Sequence, residues 1–474
     1  MTPARSFSGR KVALFGLGGS GLATALALQA GGAEVAAWDE SSAARARAAA
    51  AGVAPVDLTA ADWSGFAALI LTPGAPLTHP APHWTAAKAQ AAGIEIIGDV
   101  ELFCRERAAL APRARFIAVT GSNGKSTTTA LIAHILRTAG RNVQMGGNIG
   151  VPILALEPPS EQAIHVIECS SFQIDLAPSL DPSIGLLLNV TPDHLDRHGT
   201  LEHYAAVKER LVAKAGVALV GVDDEPSRAI AQRLRAQARG GRPRLITIAS
   251  RAPSPADIVV EDHRIVERGP DGVTTSLDLS GAPALRGAHN GQNAAFAFAA
   301  ARTLGLGVDP IALALASFQS LPHRMEQVGR FGRVLFVNDS KATNADAAQK
   351  ALLSYRDVFW IAGGKAKEGG IEPLRPLFGG IARAYLIGAA AAEFARTLEG
   401  GALFELCGTL EAAVAAAARD AALSAAPEPV VLLSPACASY DQFANFEQRG
   451  ERFRTLVSQW IERQDGARAS RSGS

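Results

Sequence analysis

The chain has 474 residues, 48% hydrophobic and 19% charged, a balance that buries enough apolar surface to offset the entropy of ordering, over a length suited to about three domains. Its 46 basic and 45 acidic residues leave a formal charge of +1, which excludes the basic excess that a nucleic-acid partner requires. No apolar run approaches the ~20 residues that span a bilayer and MTPARSFSGRKVALFG lacks an apolar signal core, so the expectation is a cytoplasmic protein with no membrane partner.

Apolar, β-branched runs alternate with alanine-rich stretches at helical spacing, the pattern of an α/β fold on parallel sheets. VALFG, EVAAWD, ALILTPG and EIIG predict a first set of strands. The first strand runs into Gly16-x-Gly18-x-x-Gly21, and Asp39 ends the next strand about 20 residues on. Such a turn brings the backbone amides of Gly16, Gly18, Gly19 and Ser20 to a diphosphate at a helix N-terminus. By itself it is the mark of a nicotinamide-dependent dehydrogenase. GDVELFCRERAALAPRAR then predicts a helix and polar linker, with a boundary near residue 107.

A second set of strands begins with FIAVTG and continues through HVIECSS, SIGLLLNVTP, VALVGVDD and RLITIAS. It closes with the helix GQNAAFAFAAARTLG and a boundary near residue 321. GSNGKSTT follows a strand and opens a helix, so the amides of Gly121 to Lys125 can converge on a phosphate. Lys125 suits β/γ-phosphate charge and Ser126 suits Mg2+. Val119 stands where the commoner loop has glycine, with Gly121 closer in, making this a variant triphosphate loop. Glu168 ends a buried strand, where a carboxylate is costly unless paired or metal-bound, and NVTPDHLDRHG adds His194 as a second candidate metal neighbour. Lys208, in HYAAVKERL, reads as an ordinary surface helix lysine. Asn290 and Asn293 share one helical face, suited to a base edge, a phosphate or a cap. In LPHRMEQV, His323 and Arg324 fall at the second boundary, where a guanidinium fork can reach phosphate.

The third set comprises RVLFVNDS, DVFWIAGG, RAYLIG, ALFELC and PVVLLSPA, and the polar tail RQDGARASRSGS is expected to be disordered. NDSKATN gathers Asp339, Lys341 and Thr343 after a strand. All the unusual polar clusters follow strands, at the carboxyl ends where open α/β sheets bind ligands. Cys104, Cys169, Cys407 and Cys437 form no CxxC pair and read as plain thiols.

GLGGSG, GDVELF, TGSNGKST, GGNIG, ECSSFQ, NVTPDHLDRH, HNGQN, LPHR, NDSKATN and SPACASYDQFANFEQRG together resemble the Mur ligase family of amide-forming enzymes over nearly the whole chain. The resemblance implies a Rossmann-like UDP-substrate domain over 1–107, a central P-loop ATP-binding domain over 108–321, and a C-terminal Rossmann-like amino-acid domain over 322–474. It implies a monomer that uses ATP and two Mg2+ ions to join UDP-N-acetylmuramoyl-L-alanine and D-glutamate through an acyl phosphate. In that reading Gly121, Asn123, Gly124, Lys125, Ser126 and Thr127 hold the ATP phosphates, and Asn290, Asn293, Arg324 and Asp339 contact the nucleotide. Ser126 and Glu168 ligate one Mg2+, while His194 and a carbamylated Lys208 ligate the second. Gly18, Gly19, Ser20, Asp39, Asn148, Ser170 and Gln173 fall to the UDP-linked substrate. Thr343, Lys367, Ser439 and Phe446 fall to D-glutamate. Two departures from the family pattern stand out: Glu40-Ser41 after Asp39, and GGKAK, which makes Lys365 a rival to Lys367. The competing readings are a ligase of the same superfamily with another acceptor, a dehydrogenase, and a catalytically dead nucleotide-binding regulator.

Overall fold

The computed structural model describes residues 1–237, 243–269, 272–366 and 369–472. They form two compact units, one of residues 1–281 with 291–316 and the other of 282–290 with 317–474.

The first unit holds two sheets. Strands β1 (Lys11–Phe15), β2 (Glu34–Trp38), β3 (Ala68–Leu71) and β4 (Glu95–Ile97) make a parallel sheet in the order β2-β1-β3-β4. The second sheet comprises β5 (Arg115–Thr120), β6 (Asn142–Gly147), β7 (Ala163–Glu168), β8 (Ile184–Leu187), β9 (Val217–Gly221), β10 (Arg244–Ala249), β11 (Ile258–Glu261), β12 (Arg264–Gly269) and β13 (Gly272–Asp278). Its order is β13-β12-β11-β10-β9-β8-β5-β7-β6. In the second unit β14 (Glu326–Phe331), β15 (Val334–Asn338), β16 (Val358–Gly363), β17 (Ile381–Ile387), β18 (Phe404–Gly408) and β19 (Val430–Leu433) pair in the order β14-β15-β19-β16-β17-β18.

Strands β3, β7, β8, β15, β16 and β19 are buried at every residue. They therefore read as continuous apolar runs, as parallel strands covered on both faces do. The strands that sequence reasoning missed are β6 and β14, at sheet edges, and β11 to β13, which extend the second sheet beyond β10. β6 (NVQMGG) ends in two glycines, β12 and β13 pair antiparallel, and β14 caps the third sheet. Edge strands need no apolar run, so neither alternation nor hydrophobicity announces β6 and β14, whereas β11 (IVVE) is a short apolar run that went unread.

The helix Asp99–Leu110 and the exposed Pro112 and Arg113 after it match the expected helix and polar linker. Two features differ from expectation: first, the polar residues Asp99, Glu101, Glu106 and Arg107 of this helix are all buried. Each is partnered: Glu106 Oε1 accepts from the amides of Arg5 and Ser6, Glu101 accepts from the amide and hydroxyl of Ser179, and Arg107 pairs with Asp181. Hydrogen bonding offsets the desolvation that would otherwise make such burial prohibitive. Second, residues 463–472 of the tail expected to be disordered are helical, within a helix that spans Phe446–Ser472, and the last two residues lie outside the described ones. Its Arg, Gln and Ala residues are good helix formers extending a nucleus already built. Among the described residues no helix is long and apolar enough to cross a membrane.

Candidate active site

In the second sheet β5 lies between β7 and β8, which the chain reaches in opposite directions. Such a switch point opens a crevice at the carboxyl ends of the strands. Register brings Val119 of β5 opposite Glu168 of β7, Gly147 of β6 opposite Glu168, and Thr120 opposite Leu187 of β8. The loops beginning at Gly121, Asn148, Cys169 and Leu188 therefore leave the sheet along one edge.

The loop after β5 enters the helix Lys125–Thr138 through Gly124, in the left-handed region at φ 87°. A Cβ at Gly124 would sit 2.5 Å from Asn293 Oδ1, so glycine is required twice over. The first-turn amides of this helix have no intrahelical acceptor and carry its partial positive charge. The loop is braced by Asn189, whose Oδ1 accepts from the Asn123 amide at 2.9 Å and whose carbonyl accepts from the Ser122 amide at 3.0 Å. These two amides are engaged within the fold. Lys125 Nζ folds back to donate to the carbonyls of Gly121 and Ser122, each at 2.9 Å. Asn293 Oδ1 accepts from Thr128 on the same helix at 3.1 Å, and Ser126 is buried beside them. Thr127 occupies the same first turn.

Glu168 is 2% exposed. Its Oε1 accepts from Asn148 Nδ2 at 2.7 Å, and Oε2 is buried with no partner. Asn148, expected at the sugar-linked substrate, thus serves to orient Glu168; its amide also donates to the Glu168 carbonyl.

Lys208 overturns the surface reading, being 1% exposed. Its amine donates to Gly121 O at 3.0 Å and Thr120 Oγ1 at 3.3 Å and lies 4.6 Å from the centre of the Tyr204 ring. Burial, and then the charge of Lys125, hold its pKa well below that of an ordinary lysine. A signal was present: Tyr204, Val207, Lys208 and Leu211 recur at helical spacing on the buried face of Leu201–Ala213, so the lysine falls on the apolar stripe. His194, by contrast, is half exposed, holds φ 53°, and packs its ring edge-on to Phe172 at 5.0 Å.

At the first sheet, Gly16 (φ 95°) leaves no room for a side chain against Thr72, whereas Gly18 and Gly19 face open space. That suits an approaching diphosphate, with Gly18 capping the helix Gly19–Ala30. Asp39 accepts from the amides of Leu17 at 2.6 Å and Ser41 at 2.8 Å. Arg45, four residues beyond the departing Ser41, stacks over Trp38 at 4.4 Å. Ser20 donates to Asp99 Oδ2 at 2.8 Å, and Gln173 Nε2 lies 3.4 Å from both Asp99 oxygens. Ser170 and Gln173 also form a reciprocal capping box. Burial raises the Asp99 pKa. Sequence reasoning missed Asp99 as a partner of both motifs, although GDVELF contains it.

In the second unit Asp339 accepts from Ser434 Oγ at 2.9 Å and the Met325 amide at 3.2 Å. Burial pushes its pKa up to about 7, against a smaller lowering by Arg324. His323 and Met325, on either side of Arg324, hold φ 62° and 48°. Asn290 donates to the Arg286 carbonyl at 3.1 Å. Ser439 is buried, and Lys341 Nζ lies 4.0 Å from the centre of the Phe446 ring. Thr343 is partly buried in the NDSKATN loop, and the exposed Lys365 exchanges backbone hydrogen bonds with Ala438. Lys367 lies outside the described residues. Arg449, also missed, is buried and donates to Ser340 Oγ, Ser340 O and Cys437 O, tying NDSKATN to SPACAS.

Comparison with known proteins adds an independent line. Residues 119–301 match the Mur ligase middle domain and residues 323–437 the Mur ligase glutamate ligase domain. The UDP-N-acetylmuramoylalanine–D-glutamate ligase of Nitrobacter hamburgensis is 59% identical over 96% of this chain and 98% of its own. That of Rhodopseudomonas palustris is 60% identical over 97% and 98%. Among solved structures, the UDP-N-acetylmuramate-alanine ligase of Thermotoga maritima aligns at TM-score 0.58 with 17% identity, over 96% of this chain and 99% of that one. A MurF ligase of the same organism, solved with ADP, aligns at TM-score 0.55 with 19% identity over 84% and 90%.

Proposed function

The chain belongs to the Mur ligase family, and from that premise we propose that it is the ATP-dependent ligase that adds D-glutamate to UDP-N-acetylmuramoyl-L-alanine. A carboxylate is a poor electrophile until its oxygen becomes a leaving group. Transfer of the γ-phosphoryl group of ATP makes an acyl phosphate, the amine of D-glutamate attacks its carbonyl, and the tetrahedral intermediate expels phosphate to leave an amide. The division of labour is 1–107 for the UDP substrate, 108–321 for ATP and 322–474 for D-glutamate.

The observation that carries this reading is the pairing, at one sheet edge, of a phosphate loop with two buried ionisable groups: Glu168 Oε2, which lacks a partner, and the Lys208 amine, buried against the loop at Gly121 O. Both fit a Mg2+ site. Oε2 with the Ser126 hydroxyl would hold one ion, since a hard cation takes oxygen ligands. Burial lowers the pKa of this amine, which favours the unprotonated form that would attack CO2, forming an N–C bond and releasing a proton, and the resulting carbamate would hold a second ion beside His194. The ions would offset phosphate charge in the transition state.

Lys125 would release its two loop carbonyls to meet the triphosphate, with Gly121, Asn123, Gly124 and Thr127 framing it and Asn290, Asn293, Arg324 and Asp339 at the nucleoside. Gly18, Gly19, Ser20 and Asp39 face the UDP end; Asn148, Ser170 and Gln173 act through Glu168 and Asp99 toward its acyl end. Thr343, Ser439, Phe446 and Lys367 receive D-glutamate. A monomer acting on dissolved precursors in the cytoplasm completes the proposal.

The test is phosphate release with Mg-ATP and UDP-N-acetylmuramoyl-L-alanine, comparing D-glutamate with L-glutamate, D-alanine and L-lysine. Release that requires the UDP-sugar and D-glutamate supports the proposal; release with another amino acid reassigns the acceptor, and none with any refutes the ligase reading.

A further inference from the structure

We infer that Asp175, His198 and His203 form a cation site for a transition metal of the Zn2+ class, separate from the phosphate loop. One ligand atom from each lies within 4.8 Å of the others. A tetrahedral zinc centre holds such atoms about 3.4 Å apart. The remaining gap closes by side-chain rotation of His203, which is exposed on the first turn of the helix Leu201–Ala213.

A second observation concerns the buried imidazole of this group. His198 is 2% exposed, yet its buried Nδ1 has no hydrogen-bond partner, a state that costs about 1–3 kcal/mol when nothing fills it. Its other ring nitrogen, Nε2, lies 2.9 Å from Ser171 Oγ, and the ring stacks on Phe172 at 5.2 Å and 4°. One nitrogen held by an outer partner and the other bare is how metal-binding imidazoles are set. Asp175 is oriented in the same manner, its Oδ1 accepting from Arg210 Nη1 at 3.0 Å.

Two imidazoles and one carboxylate suit Zn2+, Co2+ or Ni2+ better than Mg2+, which prefers a ligand set dominated by oxygen. Three protein ligands leave a fourth position for water. The ligands come from three short elements, Ser171–Asp175, Leu195–His198 and Leu201–Ala213. The last also carries Lys208, about 7.5 Å further along its axis, so metal bound here stiffens the frame on which the buried amine is mounted.

The test titrates Co2+ into the whole protein in excess Mg2+, following visible absorption and displacement by Zn2+. The wild type is expected to bind one Co2+ that Zn2+ displaces, His194→Ala to keep it, and His203→Ala to bind at least about tenfold more weakly. No Co2+ band, a band unaffected by His203→Ala, or one lost in His194→Ala overturns the inference. Because His203 is exposed, the variant is expected to fold and to turn over normally without added zinc.

Discussion

Replacing Lys208 by methionine isolates the cost of burying its amine. The side chains are of similar length, so repacking costs less than about 1.5 kcal/mol; what disappears is an ionisable group held below its ordinary pKa by burial and then by Lys125. Between the native and unfolded pKa values the unfolded chain binds a proton that the native state does not. The group therefore penalises the fold most at low pH, and stability rises with pH through that window up to the ordinary lysine value. The slope is about 1.4 kcal/mol per pH unit. Urea unfolding in CO2-depleted buffer across the alkaline range below the ordinary lysine pKa should thus show wild-type stability rising with pH more steeply than that of Lys208→Met, by at most about 1.4 kcal/mol per pH unit. Turnover of the variant should fall by about 10²–10³-fold at the same time. Equal pH slopes in the two proteins would show that the native amine is charged and solvated, and the carbamate argument would fail with it.

Lys208→Ala should regain part of its lost turnover when formate or acetate is added, since a small carboxylate can occupy the vacated position; unchanged activity in the unrescued variant refutes a role for Lys208. Lys125→Ala should lower kcat by about 10²–10³-fold with an unaltered circular dichroism spectrum. Gly124→Ala, forced into a left-handed conformation and against Asn293, should cost about 1–3 kcal/mol in denaturant unfolding and weaken ATP binding in calorimetry. For Asp339, raised from 3.8 to about 7 by burial, the native state holds a proton that the unfolded chain releases. Stability should fall as pH rises across that interval, and Asp339→Asn should abolish the fall; a parallel pH profile in the variant would show that another group carries it.

The sheets were legible because parallel strands buried on both faces are mostly apolar, as in ALIL, IGLL and VVLL. The phosphate loop was legible because its glycines and lysine have few other uses before a helix. What escaped was decided by partners distant in sequence. Glu101 looks like a solvated helix residue until Ser179 meets it, and Arg449 is one arginine among many until its contacts with Ser340 and Cys437 are seen. Asn148 is a further case: the resemblance gave it to substrate, and register adds a hydrogen bond to Glu168 that the sequence did not announce. Local sequence identifies chemical groups well; which of them face each other depends on register.

Asp99 has a further consequence. It receives Ser20 from the glycine turn of the first sheet and Gln173 from the capping box beside the second, so one buried carboxylate clasps the two sheets of this unit together. On the proposed function, the turn that would grip a nucleotide tail and the edge where an acyl group would react are then jaws of a single calliper. A molecule held by its diphosphate would be gauged by reach, and one whose carboxylate stands a residue too near or too far would arrive out of line with the phosphate loop, whatever its local chemistry.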